Sequence, residues 1–262
     1  MNNSVLKELV NINSDSANSK GIRACMDILI RHASSLGLKS DLLKSDTDNP
    51  ILKVISGKER SKRLLLVGHV DTVFAENWGS FTSADGILRG PGVQDMKAGL
   101  MMMFALARKF RDDPLIELTL LINSDEEIGS LNSIEIFRET AAVCDMGLVF
   151  EGVAREIGFI VKRKGIAEFH LYSKGTAAHA GNAFHQGKNA IVELMQAVRS
   201  ILEEASGLPK KVTLNLGKFL GGGKLNIVPD HAEAHFDLRY SQILQFDKVL
   251  EIFQKHISDM KT

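Results

Sequence analysis

The sequence predicts an α/β protein in its first part and a smaller α+β region after it. Three observations carry this reading. Apolar runs of strand length recur at residues 64–68, 115–122 and 146–150, with helical patterns between them, and strands alternating with helices build an open sheet. Each run leads into a histidine or a carboxylate: His69 with Asp71, Glu126 with Glu127, and Glu151. Around Gly158 the pattern changes to strands of alternating polarity, which mark antiparallel pairing with one face covered.

At 262 residues the chain is long enough for one large domain or two ordinary ones. The hydrophobic share of 44% and the charged share of 24% are those of a globular protein. Lys plus Arg equals Asp plus Glu, at 32 each, so charge points to neither nucleic acid nor an anionic membrane as partner. Cys25 and Cys144 form no CxxC pair and read as buried free thiols, which fits a reducing compartment. The start has no basic segment followed by an apolar one, and the most apolar window, residues 99–107, is too short for a bilayer. The expectation is a soluble, cytoplasmic protein.

Residues 4–12 read as a short amphipathic helix and residues 21–36 as a second one, ended by Gly37, with a polar capping turn between them. Residues 38–43 and 51–55 read as strands joined by the turn at 46–50. The charged segment 57–63 leads into the strand that ends at His69. A glycine-rich loop, Gly90-Pro-Gly92-Val-Gln-Asp95, opens the helix at 98–110, whose Met101-Met-Met103 run fills a core. The continuous apolar run 115–122 predicts a strand buried on both faces. Residues 134–142 are helical. In the second region, strands at 166–173, 212–219 and 232–240 and helices at 189–205 and 244–260 give a β-α-β-β-α order, with the boundary near residue 160. Gly221-Gly-Gly223 lacks the strand–loop–helix context of a phosphate loop.

Loops at the carboxyl ends of sheet strands converge on one crevice. One His with several carboxylates and no Cys favours Zn, Mn or Co, and enough carboxylates are present to bridge two ions around a hydrolytic water. Singly, each feature is weak: His-x-Asp at a strand end is common, and Asp-Glu-Glu is usually a solvated turn. Three successive strand ends bearing such groups are harder to dismiss.

As an ordered set, Gly-His69-Val-Asp71-Thr-Val, Gly90-Pro-Gly-Val-Gln-Asp95-Met-Lys-Ala-Gly, Asn-Ser-Asp-Glu126-Glu127-Ile-Gly-Ser, Phe-Glu151, Ala-His179-Ala-Gly and Leu-Asn226-Ile-Val-Pro resemble the dinuclear zinc exopeptidase and deacylase family. That family includes glutamate carboxypeptidase, succinyl-diaminopimelate desuccinylase and acetylornithine deacetylase, and the glutamate carboxypeptidase branch is most similar. The resemblance implies a zinc-exopeptidase-like catalytic sheet with helices on both faces over residues 1–159. A lid and dimerisation domain would cover residues 160–262.

It also implies roles. His69 and Glu151 would hold one Zn2+, Glu127 the other, and Asp95 would bridge them, with Co2+ or Mn2+ as possible replacements. Asp71 would fix the His69 tautomer, and Glu126 would be the general base. The Asp95–Met96 peptide bond would be cis. His179 would reach into a partner subunit's site to steady an oxyanion, while Asn226 and Arg239 would grip a substrate carboxylate. His170, His185, His231 and His235 keep an ordinary reading.

The family's catalytic domain resumes after the lid and supplies a last zinc-binding His, whereas this chain stops at Thr262. The expectation is therefore a C-terminally truncated chain with an incomplete catalytic domain, one ligand short at the ion held by Glu127, since His256 lies on the lid's last helix. Two functions follow. One is a zinc-dependent hydrolase that cleaves an amide bond beside a free carboxylate in a small peptide or N-acyl amino acid, working as a homodimer. The other is a non-catalytic remnant that only dimerises or binds metal.

Overall fold

Helix α1 (Asn3–Val10) buries Leu6, Leu9 and Val10, the spacing of one helical face. It opens the computed structural model, which describes residues 3–44, 47–57, 62–76, 79–152 and 158–258. Helix α2 (Ser19–Ser35) begins where the Asn18 side chain accepts the Gly21 amide at 3.1 Å, satisfying a donor the helix cannot pair itself. It ends before Gly37, whose φ of +70° is a left-handed position that costs glycine little.

Strands β1 (Lys39–Leu43), β2 (Ile51–Ser56) and β3 (Lys62–His69) follow; residues 58–61 of the charged segment and residue 46 of the first turn lie outside the described residues. A short hairpin that the sequence reading did not include, β4 (Thr82–Ala84) with β5 (Ile87–Arg89), comes next. Its turn residues Asp85 and Gly86 have φ of 54° and 75°, both positive as a type I′ turn requires, and Asp-Gly was the available signal. Then come a π-helical turn at Val93–Lys97, α3 (Ala98–Phe110), β6 (Ile116–Asn123), α4 (Ile134–Ala142) and β7 (Met146–Val149).

The sheet order is β1-β2-β6-β3-β7. Strands β6, β3 and β7 run parallel, and β1 and β2 pair antiparallel, so the sheet is mixed. Register pairs His69 with Asn123 and Val67 with Val149; the residues that leave β3, β6 and β7 therefore emerge along one edge. On one face α1, α2 and α3 pack over Leu52, Val54, Leu66, Leu118, Leu120 and Ile122. On the other, Ile136 and Phe137 of α4 pack over Ile51, Leu65 and Leu121. Each fully buried Leu or Ile contributes about 1.5–3 kcal/mol, and both faces of β6 are spent this way. Met101 and Met103 are buried as expected, while Met102 is exposed. Cys25 is buried, but Cys144 is only half-buried because it follows α4 instead of lying inside it. Edge strand β7 leaves Met146 and Val149 exposed.

The chain divides into two compact units, Met1–Gly158 and Phe159–Thr262. In the second, β8 (Gly165–Lys174), α5 (Ala190–Ala205), β9 (Thr213–Gly221), β10 (His231–Tyr240) and α6 (Ile243–Ser258) follow in order. All pairing in the β8-β10-β9 sheet is antiparallel. Alternation turns Ala232, Ala234, Phe236 and Leu238 into the core with Leu194, Val198 and Ile201 of α5 and Val249, Ile252 and Phe253 of α6. Phe169 stacks on Phe253 with ring centres 4.2 Å apart. The predicted end of the last helix at residue 260 lies outside the described residues. No helix among the described residues is long and apolar enough to cross a membrane.

Candidate metal centre

Strand β3 delivers His69 to the edge of the parallel sheet almost fully buried, at 1% exposure. Two residues on, past Val70, comes Asp71, which is fully buried. The imidazole's two nitrogens face different groups. Nδ1 lies 3.0 Å from the Asp71 carbonyl oxygen and 3.3 Å from its Oδ1. Nε2 lies 3.1 Å from Asp95 Oδ1, 3.4 Å from Glu151 Oε1 and 3.9 Å from Glu126 Oε2. One ligand atom each from His69, Asp95 and Glu127 falls within a mutual 4.8 Å.

Local backbone explains how these groups meet. Asp95 and Met96 depart from helical angles inside the π-turn, and the peptide bond between them is cis. The His69 amide lies 3.1 Å from the buried Met96 sulfur. Gly92 has φ +69°, and a Cβ there would lie 2.8 Å from Thr72 Cγ2, so the loop can lie against the strand end only with glycine at this position. Glu126 and Glu127 begin a short 3-10 turn after β6, and Glu151 follows β7 and Phe150.

Asp71 organises its surroundings. Its Oδ2 accepts Ser16 Oγ at 2.8 Å and the Glu127 amide at 3.1 Å, and its Oδ1 accepts the Glu126 amide at 3.3 Å. Burial works against its charge, but the hydrogen bonds with His69 and Ser16 outweigh it and hold the carboxyl below its usual range. Burial would also lower His69, yet Asp71 and Glu151 push it up to about 11. Glu127 is pushed up to about 7 by burial and by the neighbouring Asp95, and burial together with nearby carboxylates raises Glu126. A cluster that clings to protons in this way has an excess of negative charge for a cation to neutralise. Imidazole and carboxylates without thiolate fit Zn2+, Mn2+ or Co2+, and Nε2, with Nδ1 engaged by Asp71, has the orientation a metal-binding imidazole needs.

In the second unit, Nδ1 of the exposed His179 accepts the amides of Gly181 and Asn182 at 3.1 and 3.2 Å. The neutral ring then carries its hydrogen on Nε2. His179 bridges to Ile227, and the Asn226 carbonyl accepts the Ala180 amide at 2.9 Å, so His179 and Asn226 share one pair of loops. Arg239 does not join them. It lies near the end of β10, its Nε donating to Asp237 Oδ2 at 2.9 Å, whereas Asn226 lies beyond the strand's start at His231. The eight steps from residue 231 to 239 span roughly 27 Å at strand rise.

Sequence reasoning missed Ser16, Asp125 and Lys97. Lys97 is 1% exposed, with Nζ donating to the carbonyls of Leu9 and Ile12 at 2.9 and 3.3 Å, and burial lowers its pKa. Only its place two residues after Asp95 hinted at a buried role. Ser16 and Asp125 sit in polar stretches that look like ordinary turns.

The sequence pattern of peptidase family M28 matches residues 50–192, more than half of the chain, and that of the M20 peptidase dimerisation domain matches residues 161–261. Carboxypeptidase G2 of Pseudomonas sp. (strain RS-16) is 29% identical over 266 aligned positions, covering 98% of this chain and 64% of that protein. Succinyl-diaminopimelate desuccinylase of Acidovorax ebreus is 28% identical, covering 83% and 63%. The chain thus spans less than two thirds of the length of these relatives. In fold it is similar to the M20 family metallo-carboxypeptidase Sso-CP2 of Sulfolobus solfataricus, with a TM-score of 0.77 at 20% identity over 98% of this chain and 75% of that one. The chain belongs to peptidase family M28, carries the pattern of an M20 peptidase dimerisation domain in residues 161–261, and is similar to carboxypeptidase G2 and succinyl-diaminopimelate desuccinylase, which makes it an enzyme by lineage.

Proposed function

We propose that the site belongs to a two-zinc hydrolase that cleaves an amide bond beside a free carboxylate, as a carboxypeptidase or an N-acyl-amino-acid deacylase. The arrangement at His69 supports this best: Nδ1 is engaged by Asp71 while Nε2 faces Asp95 and Glu151, at 3.1 and 3.4 Å. In this reading His69 and Glu151 would hold one ion, Glu127 the other, and Asp95 would serve both. When bound, such cations would supply polarisation of the scissile carbonyl and a more acidic attacking water.

Glu126 takes the proton from that water and returns it to the leaving amine. Its carboxylate is about half exposed at 47%, and its raised pKa makes it a stronger base than an ordinary glutamate. Asp71 keeps the His69 ring oriented. His179 donates its Nε2 hydrogen to the developing oxyanion. Arg239 and Asn226 grip the substrate carboxylate, Arg239 through a planar fork suited to it.

Because Asn226 and Arg239 stand at opposite ends of β10, the two meet one carboxylate only if they come from different copies of the chain. His179 then comes with Asn226. This supports a homodimer through residues 160–262, with residues 1–159 as the catalytic domain.

The test is zinc content per chain together with hydrolysis of an N-acyl-glutamate. Bound zinc with metal-dependent turnover is expected. Glu126→Ala should keep the zinc and lose turnover by about 10²–10⁴-fold. No turnover with zinc in excess overturns the proposal in favour of a non-catalytic module, and zinc loss in Glu126→Ala overturns the role of the base.

A further inference from the structure

The segment that carries Glu126 and Glu127 is fastened from two sides by buried carboxylates. On one side Asp71 accepts both of their amides. On the other stands Asp125, which is fully buried. Among the described residues its side chain takes three hydrogen bonds, all from neutral donors. Asn123 Nδ2, at 3.0 Å, and Ser133 Oγ reach Oδ1, and the Asn132 amide reaches Oδ2 at 2.8 Å.

The Asp125 carbonyl accepts the Ser130 amide at 2.7 Å. That bond closes the reversal made by Gly129 and Ser130, whose φ values are +95° and +56°. The far side of the loop is tied down in turn. Asn132 Nδ2 donates to Asn49 Oδ1 at 3.0 Å, Asn49 Nδ2 donates to the Ser124 carbonyl at 3.3 Å, and Lys44 Nζ donates to the Asn132 carbonyl.

A carboxyl group buried among neutral donors alone is costly, and each such group calls for a structural reason. We propose that Asp125 is the positioning residue that aims Glu127 at the His69–Asp95 cluster, an inference that rests on the metal reading above. Residue 125 is drawn toward Ser133 while the amides of 126 and 127 are drawn toward Asp71. The one-residue step between these anchors is left little rotation, and the Glu127 carboxylate keeps its place within reach of His69 and Asp95. Side chains that act at ångström tolerance need support of this sort.

Co2+ binding to the full chain, followed by its visible absorption, tests the proposal by a double-mutant cycle. Glu127→Gln should weaken Co2+ binding, and Asp125→Asn should weaken it by about tenfold, the low end for partners behind a metal ligand. Because Asp125 acts through Glu127, the double variant should bind no worse than Glu127→Gln, within about twofold. Ser133→Ala removes one donor to Asp125, leaves the carboxylate in place, and should weaken binding by about threefold. It decides the matter should Asp125→Asn fail to fold.

Full additivity of Asp125→Asn with Glu127→Gln overturns the proposal, because a merely structural defect would add. So does wild-type Co2+ affinity in either Asp125→Asn or Ser133→Ala. If Glu127→Gln itself leaves Co2+ binding unchanged, the metal reading falls and this inference falls with it.

Discussion

Nδ1 of His69 lies 3.3 Å from Oδ1 of Asp71, with the ring 1% exposed and the carboxylate wholly buried. The Asp71 carboxylate therefore sets the direction of the ring's other nitrogen, and through the amides of Glu126 and Glu127 it also anchors the neighbouring loop.

Asp71→Asn puts an amide donor among groups that need an acceptor: Ser16 Oγ and the two backbone amides. Zinc affinity is expected to fall by about 10–100-fold, the usual effect of losing the partner behind a metal-binding imidazole. Competition with a chromophoric chelator measures it. Affinity within about twofold of the wild type would contradict the role given to Asp71.

Metal affinity should rise with pH. With no metal bound, His69 holds its proton up to about 11 and Glu127 up to about 7. A cation on Nε2 must displace the His69 proton throughout the neutral range, and below about pH 7 it must displace the Glu127 proton as well. Each released proton strengthens binding by about tenfold per pH unit. Titrations between mildly acidic and mildly alkaline pH should therefore steepen on the acidic side. A flat profile would refute the assignment of both groups as ligands.

Gly99→Ala should destabilise the protein although it adds helix propensity. An exposed helical Gly→Ala gains about 1 kcal/mol. Here the new Cβ meets the Phe150 carbonyl oxygen and lies 2.8 Å from Met96 Cε, and Phe150 is main chain next to Glu151. Overpacking of this kind costs about 1–3 kcal/mol, and the shift is passed directly to a metal ligand. Denaturant unfolding should show the loss, and zinc titration should show weaker binding. A more stable variant would mean that Phe150 yields freely.

Mixing two inactive variants tests whether sites are shared between copies. Glu126→Ala removes the base, and Asn226→Ala removes a group at the opposite end of β10 from Arg239. If the two act in different copies, mixed dimers contain one intact site, and about a quarter of wild-type activity returns for random pairing of equal amounts. No recovery after subunit exchange would place Asn226 and Glu126 in the same copy's site.

Much of the site was legible because its chemistry sits where strands stop. Apolar runs locate β3, β6 and β7, and the residues just past them are His69, Glu126, Glu127 and Glu151. Less legible was what holds these residues in place. Ser16 lies 55 positions from Asp71 in sequence, yet its hydroxyl is 2.8 Å from that carboxylate. Asp125 looks like one more member of an acidic turn, although it is fully buried while its neighbour Glu126 is exposed. The hairpin β4–β5 escaped because three-residue strands carry too little periodicity to register, even with Asp85-Gly86 between them.

By itself the sequence determined which segments become helices and strands, since side-chain period and capping residues are local, and it determined which residue types stand at the strand ends. Tertiary structure alone decided the order β1-β2-β6-β3-β7 and, with it, which strand ends are neighbours. It also decided that Nε2 of His69 faces Asp95 and Glu151, and that Asn226, beyond the start of β10, stands apart from Arg239 near its end. These are contacts between residues distant in the chain, set by packing and register, and no local pattern encodes them.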